Sequence, residues 1–347
     1  MDQPFEKGVL ERPAGSVPVV SSSLTGADRW GSIKARWGVK RMQYLVDPGL
    51  YALGSPDRQS PVLVTANYKM SFDRLREALP GRQAWILVLD TRGINVWCAA
   101  GKGTFGTGEL IQRIASSGLS QVVDHNEIIL PQLAAPGVAA HEIRKGSGFK
   151  VIYGPIEATD LPAFLDEGCR ATPRMRQKTF SFRERTVLVP VELVGTLKWS
   201  LIIIPLFFLA GGLGGQRGFW NGVWQDGLLA VVALLCAIAA GAVLTPMFLP
   251  WLPGRAFSIK GFLMGLIATF VLGLFWTDGF NIGTWTEMSA WFFLVPALSA
   301  YLAMNFTGAS TYTSLSGVRK EMRWAVPLEI CGGGVGLVIW ITTLFGA

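Results

Sequence analysis

The chain has 347 residues, of which 50% are hydrophobic and 16% are charged, and its formal net charge is +7. A typical soluble protein has about 25% charged residues, so this composition excludes a wholly soluble or intrinsically disordered chain. Residues 186–347 carry 7 basic and 6 acidic side chains, which is typical of membrane-spanning sequence. The remaining charge, +6 over residues 1–185, is too low and too scattered to indicate nucleic-acid binding.

The first 185 residues are predicted to form an N-terminal arm followed by an α/β domain. Residues 1–60 are rich in proline, serine and glycine, and we expect an irregular arm with short elements that packs on the domain. Residues 61–170 alternate strand-like and helix-like segments, which predicts a Rossmann-like parallel sheet with helices on both sides. The predicted strands are 62–65, 84–90, 128–130 and 150–153, and the predicted helices are 71–79 with Ser71 as N-cap, 107–116, 141–145 and 161–166.

In parallel sheets, ligands bind outside the carboxyl ends of the strands. The residues that follow the predicted strands are therefore candidate ligand contacts. They are Thr65, Asn67, Pro131, Gln132, Leu133, Gly154 and Pro155.

The segment after the strand 84–90 carries two motifs. Residues 101–106 match GxGxxG, but ten residues separate Asp90 from the first glycine, whereas a dinucleotide-binding turn leaves its strand directly. In the ten-residue insertion, Asn95 is a candidate N-cap for a short helix over 96–100 that ends at Gly101 or Gly103. Cys98 would lie in its first turn, where amide groups and the helix dipole favour a thiolate. The alternative, a buried and inert cysteine, fits the pattern equally well.

Residues 171–194 form a basic linker, and residues 195–347 contain five apolar stretches long enough to span a bilayer. The predicted spans are 195–214, 227–249, 259–277, 286–306 and 325–345. The flanking segments on one side hold eleven basic residues, and those on the other side hold Arg217 alone. Because positive loops face the cytoplasm, we expect a multi-pass protein of the cell (inner) membrane with a cytoplasmic N-terminal domain and an external C-terminus.

Two features of the last span suggest what the helices do. The glycines at 332–336 would let helices approach closely, and we favour this packing interpretation over a transport role. Glu329 lies near the start of the span and is one of few polar side chains in the spans. The N-terminus lacks an apolar signal core, which also favours a domain that is not exported.

The segment Asn95-Val-Trp-Cys-Ala-Ala-Gly-Lys102 resembles the cap-helix signature of the mercury-methylating corrinoid protein family (HgcA). The segments 62–69, 130–133, 153–155 and 160–165 also resemble that family, as does the order of one α/β domain followed by five spans. The α/β domain is also similar to the corrinoid-binding domain of the corrinoid iron–sulfur protein of acetyl-CoA synthesis. That family lacks both the cysteine and the membrane half.

The resemblance implies a corrinoid-dependent methyltransferase that transfers a methyl group from a methyl-cobamide to Hg(II), giving methylmercury. It implies a cobamide or cobalamin cofactor, with its cobalt, held by the strand ends and by a cap helix. The cap-helix residues are Asn95, Val96, Trp97, Cys98, Ala99, Ala100, Gly101, Lys102 and Gly103. The implied partners are a methyl donor protein or a methyltetrahydrofolate-type donor, and a ferredoxin-like protein with two four-iron (4Fe-4S) clusters as electron donor.

Residue chemistry agrees with this. Neither His125 nor His141 lies on the cap helix, so we predict Cys98 as the lower axial ligand to cobalt. A thiolate donates strongly, which suits transfer of methyl as a carbanion equivalent to a soft electrophile such as Hg(II). The chain has no CxxC motif for a cluster, so low-potential electrons would come from a partner. Two other functions fit the same residues: a corrinoid methyl carrier with a different native acceptor, and a membrane dinucleotide-dependent oxidoreductase.

Overall fold

The computed structural model describes residues 5–13, 15–214, 218–276, 282–306 and 315–346. The chain divides into two compact units. The α/β unit comprises residues 1–35 and 39–178, and the helical unit comprises residues 36–38 and 179–347.

The α/β unit is built on one seven-stranded sheet with the strand order β1-β2-β3-β5-β4-β6-β7. Strands β5, β4, β6 and β7 are parallel, whereas β1 is antiparallel to β2 and β3 is antiparallel to β5. Every residue of β4 and β5 is buried, as expected for central strands covered on both faces. The strands are β1 Glu6–Arg12, β2 Gly15–Val20, β3 Gly49–Leu53, β4 Val62–Ala66, β5 Ala84–Leu89, β6 Glu127–Leu130 and β7 Lys150–Tyr153. The α/β class is confirmed, and the sheet is mixed rather than wholly parallel.

Helices cover both faces of this sheet, and each face has its own apolar core. One core takes Ala99, Leu110 and Ile143 from α3, α4 and α6, and the other takes Phe72 and Phe164 from α2 and α7. The helices are α1 Gly26–Arg36, α2 Lys69–Glu77, α3 Val96–Lys102, α4 Thr107–Ser116, α5 Leu119–Val122, α6 Ala140–Ser147 and α7 Leu161–Asp166.

One local prediction is wrong, and another is incomplete. Helix α2 begins at Lys69 with Tyr68 as N-cap and no side-chain capping bond, so Ser71 lies inside the helix instead of capping it. Residues 1–60 are not simply an irregular arm, because they supply β1, β2, α1 and β3 to the unit. The hairpin strand β1 is largely exposed and lies at the sheet edge, so its residues lack the apolar pattern of a buried strand.

A buried cluster of four charges ties this N-terminal segment to α2. Lys69 Nζ lies 2.6 Å from Asp28 Oδ1 and 2.8 Å from Asp73 Oδ2, and Arg76 Nη2 lies within 2.9 Å of both carboxylates. Burial acts to raise the pKa of Asp28, but hydrogen bonds from Lys69 and Thr25 outweigh it and hold the pKa well below its usual range. The two positive and two negative side chains pair with one another, and such pairing is what buried charges need to offset their loss of hydration.

The helical unit contains, within the described residues, five helices that are long and apolar enough to cross a membrane. This statement concerns their length and composition. The helices are α8 Phe182–Gly214, α9 Phe219–Phe248, α10 Phe257–Trp276, α11 Ile282–Asn305 and α12 Leu315–Phe345. Helix α9 contains two π-helical stretches, over 223–227 and 239–244.

The five helices overlap the five predicted spans, but all five start earlier than predicted, α8 and α12 by the largest margin. Helix α8 begins at Phe182, so much of the predicted linker 171–194 is helical. Helix α12 begins at Leu315, and the basic residues at 319, 320 and 323 therefore lie in the helix and not in a loop. Arg217 and residue 277 lie outside the described residues.

Candidate functional site

Helix α3 is fixed at both ends by the residues that the sequence predicts as caps. Asn95 has an extended backbone, and its side-chain oxygen accepts a hydrogen bond of 2.9 Å from the Cys98 amide. At the other end, Gly103 has φ 79°, and its amide donates to the Ala100 carbonyl. Such a left-handed C-cap favours glycine, so the helix ends at Gly103 and Gly101 lies inside it.

The two faces of α3 differ in burial. Ala99 and Ala100 are buried in the core against the sheet, whereas Cys98 is half-buried. Gly101 and Lys102 are exposed and lie three and four residues after Cys98, on the same face of the helix. A Cβ atom at Gly101 would meet nothing within 4 Å. The thiol therefore lies beside open space that a side chain at this glycine would partly fill.

The Asn67 side chain holds the loop that connects β5 to α3. Its oxygen accepts from the Thr91 amide at 3.1 Å and from the Gly93 amide at 3.0 Å, and its nitrogen donates to Asp90 at 3.1 Å. Asn67 is 4% exposed, and its bonds from the Thr91 and Gly93 amides are buried and shielded from water. The sequence predicts Asn67 as a ligand contact, and the structure shows that its side chain positions the segment leading to Cys98.

The loop itself needs a tight turn, which sequence reasoning missed. Arg92 and Gly93 both have positive φ, at 57° and 72°. A Cβ atom at Gly93 would lie 2.5 Å from Leu45 Cδ2, and the Thr91 hydroxyl lies 2.6 Å from the Ile94 carbonyl oxygen. The available signal was Gly93 itself, two residues before a candidate N-cap.

The loops after β6 and β7 lie side by side. The Gln132 amide donates to the Pro155 carbonyl at 3.4 Å, and the Gly154 amide donates to the Leu130 carbonyl at 2.8 Å. The turn over residues 132–134, which includes Leu133, also packs against α3. The structure thus brings residues 131–133 next to α3, the predicted cap helix. Residues 154–155 lie beside the same turn. Within the described part of the chain, Gln132 Oε1 is buried without a hydrogen-bond partner.

Thr65 lies apart from this group. Alternate residues of β4, namely Val62, Val64 and Ala66, belong to the core that contains α3. Because side chains alternate across a strand, Thr65 points to the opposite face, and it is 4% exposed.

Sequence reasoning also missed Gly137, which lets the end of the cap helix pack closely. A Cβ atom at this position would lie 2.3 Å from the Phe105 carbonyl oxygen and 2.9 Å from Ala100 Cα. No L side chain fits there without displacing backbone. The position of α3 therefore depends on this glycine as well as on the two caps.

Two other kinds of site receive no support from the geometry. Gly101 lies inside α3 and Gly106 precedes α4, so the GxGxxG residues do not form a direct strand-to-helix turn. The described ranges contain no group of three or more His, Cys, Asp or Glu side chains that could hold a metal ion. His125 is used structurally, with Nε2 at 3.0 Å from the Ser60 carbonyl oxygen.

Known proteins resemble the α/β unit. The family described as CO dehydrogenase/acetyl-CoA synthase delta subunit matches residues 40–165, a range that contains α3 and the loops after β4, β5, β6 and β7. The gamma subunit of the acetyl-CoA decarbonylase/synthase complex from Methanopyrus kandleri is 33% identical over 125 residues, which is 35% of this chain and 26% of that protein. The corresponding subunit of Methanothermobacter thermautotrophicus is 33% identical over 129 residues, 37% of this chain and 28% of that protein. The chain spans about a quarter of the length of these relatives.

Proposed function

We propose that this chain is a membrane-anchored, corrinoid-dependent methyltransferase whose methyl acceptor is Hg(II), giving methylmercury. A corrinoid cofactor and methyl transfer in general follow from the family match over residues 40–165. The finer assignment to mercury rests on the resemblance of residues 95–102 to the cap-helix signature of the mercury-methylating family. The one structural observation that supports it is a half-buried cysteine on a doubly capped helix.

The residues fit a corrin ring. A flat macrocycle needs an open face, and apart from the adjoining residues of α3 itself nothing lies within 4 Å of the place where a side chain at Gly101 would begin. It also needs an axial donor, which Cys98 provides on that face. The ring carries amide groups at its edge, and the unpartnered Gln132 Oε1 can accept a hydrogen bond from one of them. When bound, a corrinoid supplies the cobalt centre that carries the methyl group.

In this proposal the chain's own residues hold the sulfur in place. The Asn95 cap fixes the Cys98 amide, and Asn67 fixes the loop before it through the Thr91 and Gly93 amides. Cys98 would be the residue that holds the cobalt, with Sγ as its lower axial ligand. A thiolate is a strong donor, and it would favour transfer of the methyl group together with its bonding electron pair, the carbanion-like form that Hg(II) accepts. Apart from Thr65, which points to the opposite face of the sheet, the other cap-helix and strand-end residues would lie around the ring.

The proposal extends to topology and partners. Residues 61–170 would carry the cofactor in the cytoplasm, and residues 195–347 would anchor the chain with its C-terminus outside. The described residues provide no cluster of cysteines for iron–sulfur chemistry. As the resemblance of residues 95–102 implies, a ferredoxin-like protein with two four-iron clusters would supply electrons, and a methyltetrahydrofolate-type donor or donor protein would supply methyl.

The test compares Cys98→Ala with Cys169→Ala in the full chain purified without oxygen. Cys169 is also half-buried, but it packs on the core of the opposite face, so it is a matched control for loss of a thiol. We expect Cys98→Ala to lose the spectrum of thiolate-bound cobalt and the methylmercury product, while Cys169→Ala keeps both. Equal cobalt spectra and equal methylmercury yields in wild type and Cys98→Ala would refute the ligand assignment.

The same preparation separates the alternative functions. A corrinoid carrier with another acceptor would bind cobalt through Cys98 but would transfer methyl faster to that acceptor than to mercury. A dinucleotide-dependent oxidoreductase would contain no cobalt. Residues 101–106 also do not form the strand-to-helix turn that a dinucleotide site requires, because Gly101 lies inside α3.

A further inference from the structure

The helical unit contains a partly open apolar cavity of about 370 Å³, lined by residues of α8, α9, α11 and α12. Three aromatic side chains, Phe207, Trp291 and Tyr301, contribute to its wall. The one acidic side chain among the lining residues is Glu329, and none of these residues is Lys, Arg or His. The cavity therefore combines an apolar wall, aromatic rings and a single carboxyl group.

Among the residues that the structure describes, Glu329 has no hydrogen-bond partner that would explain its position. Both carboxyl oxygens are buried, and neither has a hydrogen-bond partner within the described residues. The Trp291 indole nitrogen is also buried and also lacks a hydrogen-bond partner within the described residues. Glu329 lies near the middle of α12, which runs from Leu315 to Phe345, whereas the sequence places it near the start of a span. A carboxylate in such surroundings is costly unless a cation pairs with it.

The glycine run of α12 has two roles, and only one of them is helix packing. A Cβ atom at Gly336 would lie 2.8 Å from the Ala290 carbonyl oxygen, so this glycine permits close approach of α11. Gly333 lines the cavity, and a Cβ atom there would meet nothing within 4 Å. Because Gly333 follows Glu329 by one helical turn, its missing side chain leaves room beside the carboxyl group.

We propose that this cavity binds a lipophilic organic cation with a single positive charge. The Glu329 carboxylate pairs with the charge, and the aromatic rings contact the apolar body of the ligand and add cation–π attraction. An acyl chain from the bilayer would fill the same volume but would leave the carboxyl group unpaired. The observations thus favour a charged guest, and this inference does not depend on the proposed methyl transfer.

The test uses the full chain in nanodiscs of neutral phosphatidylcholine and radiolabelled methyltriphenylphosphonium as the probe. The uncharged competitor is 1,1,1-triphenylethane, which has the same shape. The variants are Glu329→Gln, which removes the charge, and Gly333→Leu, which fills the cavity. The matched control is Gly334→Leu, since Gly334 is exposed, does not line the cavity and has nothing within 4 Å of its Cβ position.

We expect saturable binding to wild type and to Gly334→Leu, at least about tenfold weaker binding to Glu329→Gln, and no binding to Gly333→Leu. Excess triphenylethane should not displace the cation. Gel filtration and thermal melting of each variant establish that it is folded. The proposal is overturned if Glu329→Gln binds as tightly as wild type, if triphenylethane competes equally, or if Gly333→Leu and Gly334→Leu behave alike. Binding to wild type no greater than to empty nanodiscs would also overturn it.

Discussion

Replacing Asn67 by alanine removes the side chain that holds the loop between β5 and α3. The Thr91 and Gly93 amides then lose their acceptor at buried positions. An unsatisfied buried donor costs about 1–3 kcal/mol. Water that enters the vacated space would satisfy part of this need, so we expect the two amides together to lower the local free energy of opening by about 2–4 kcal/mol. We therefore expect α3, and with it Cys98, to open from the sheet more often in Asn67→Ala.

Amide hydrogen exchange of the full chain measures this local opening. A loss of about 2 kcal/mol corresponds to about 30-fold faster exchange of peptides covering residues 90–105, whereas peptides from β6 and β7 should change little. The control is Asn126→Ala, an exposed asparagine before β6, with an expected effect within about 0.5 kcal/mol. Unchanged exchange over 90–105 in Asn67→Ala would show that the Asn67 amide does not position the cap helix.

Three further changes test the packing around the site and the buried charges. Gly137→Ala should shift α3, because its Cβ would lie 2.9 Å from Ala100 Cα, and thermal melting should show a loss of about 1–3 kcal/mol; an unchanged melting temperature would contradict this. Gly101→Ala should stabilise the corrinoid-free helix by up to about 1 kcal/mol yet weaken corrinoid retention, and a variant that keeps its cobalt after gel filtration would count against the proposed ring position. Lys69→Met should cost about 3–5 kcal/mol at neutral pH by unbalancing the buried charges. Since the folded pKa of Asp28 is lowered, its stabilising contribution is present above the ordinary value of 3.8 and is lost as the pH falls through the lower folded value. Melting curves between pH 7 and pH 2 should therefore show a smaller decline in Lys69→Met than in wild type, and parallel curves would argue against this role for Lys69.

Several features were determined by the sequence because they depend on neighbouring residues. The caps of α3 are such a case, since Asn95 and Gly103 act within one or two turns of the helix. Helix α4 is predicted over its observed residues 107–116 because its apolar positions recur with helical spacing. The five apolar helices follow from composition over about 20 residues each, although their starting points do not, since polar residues extend α8 and α12 beyond the apolar stretch.

The tertiary structure alone decided which distant residues serve the site. Asn67 reaches amides about 24 residues further along the chain, and nothing in the local pattern distinguishes a side chain that holds a loop from one that contacts a ligand. Gly137 matters only because the end of α3 lies against it, and the strands of the N-terminal segment are recognisable only through the sheet that they join. In the helical unit, Gly333 and Gly336 belong to one glycine run, yet one opens a cavity and the other packs against α11. These differences arise from contacts between segments far apart in sequence, which periodicity and capping signals along a single segment do not encode.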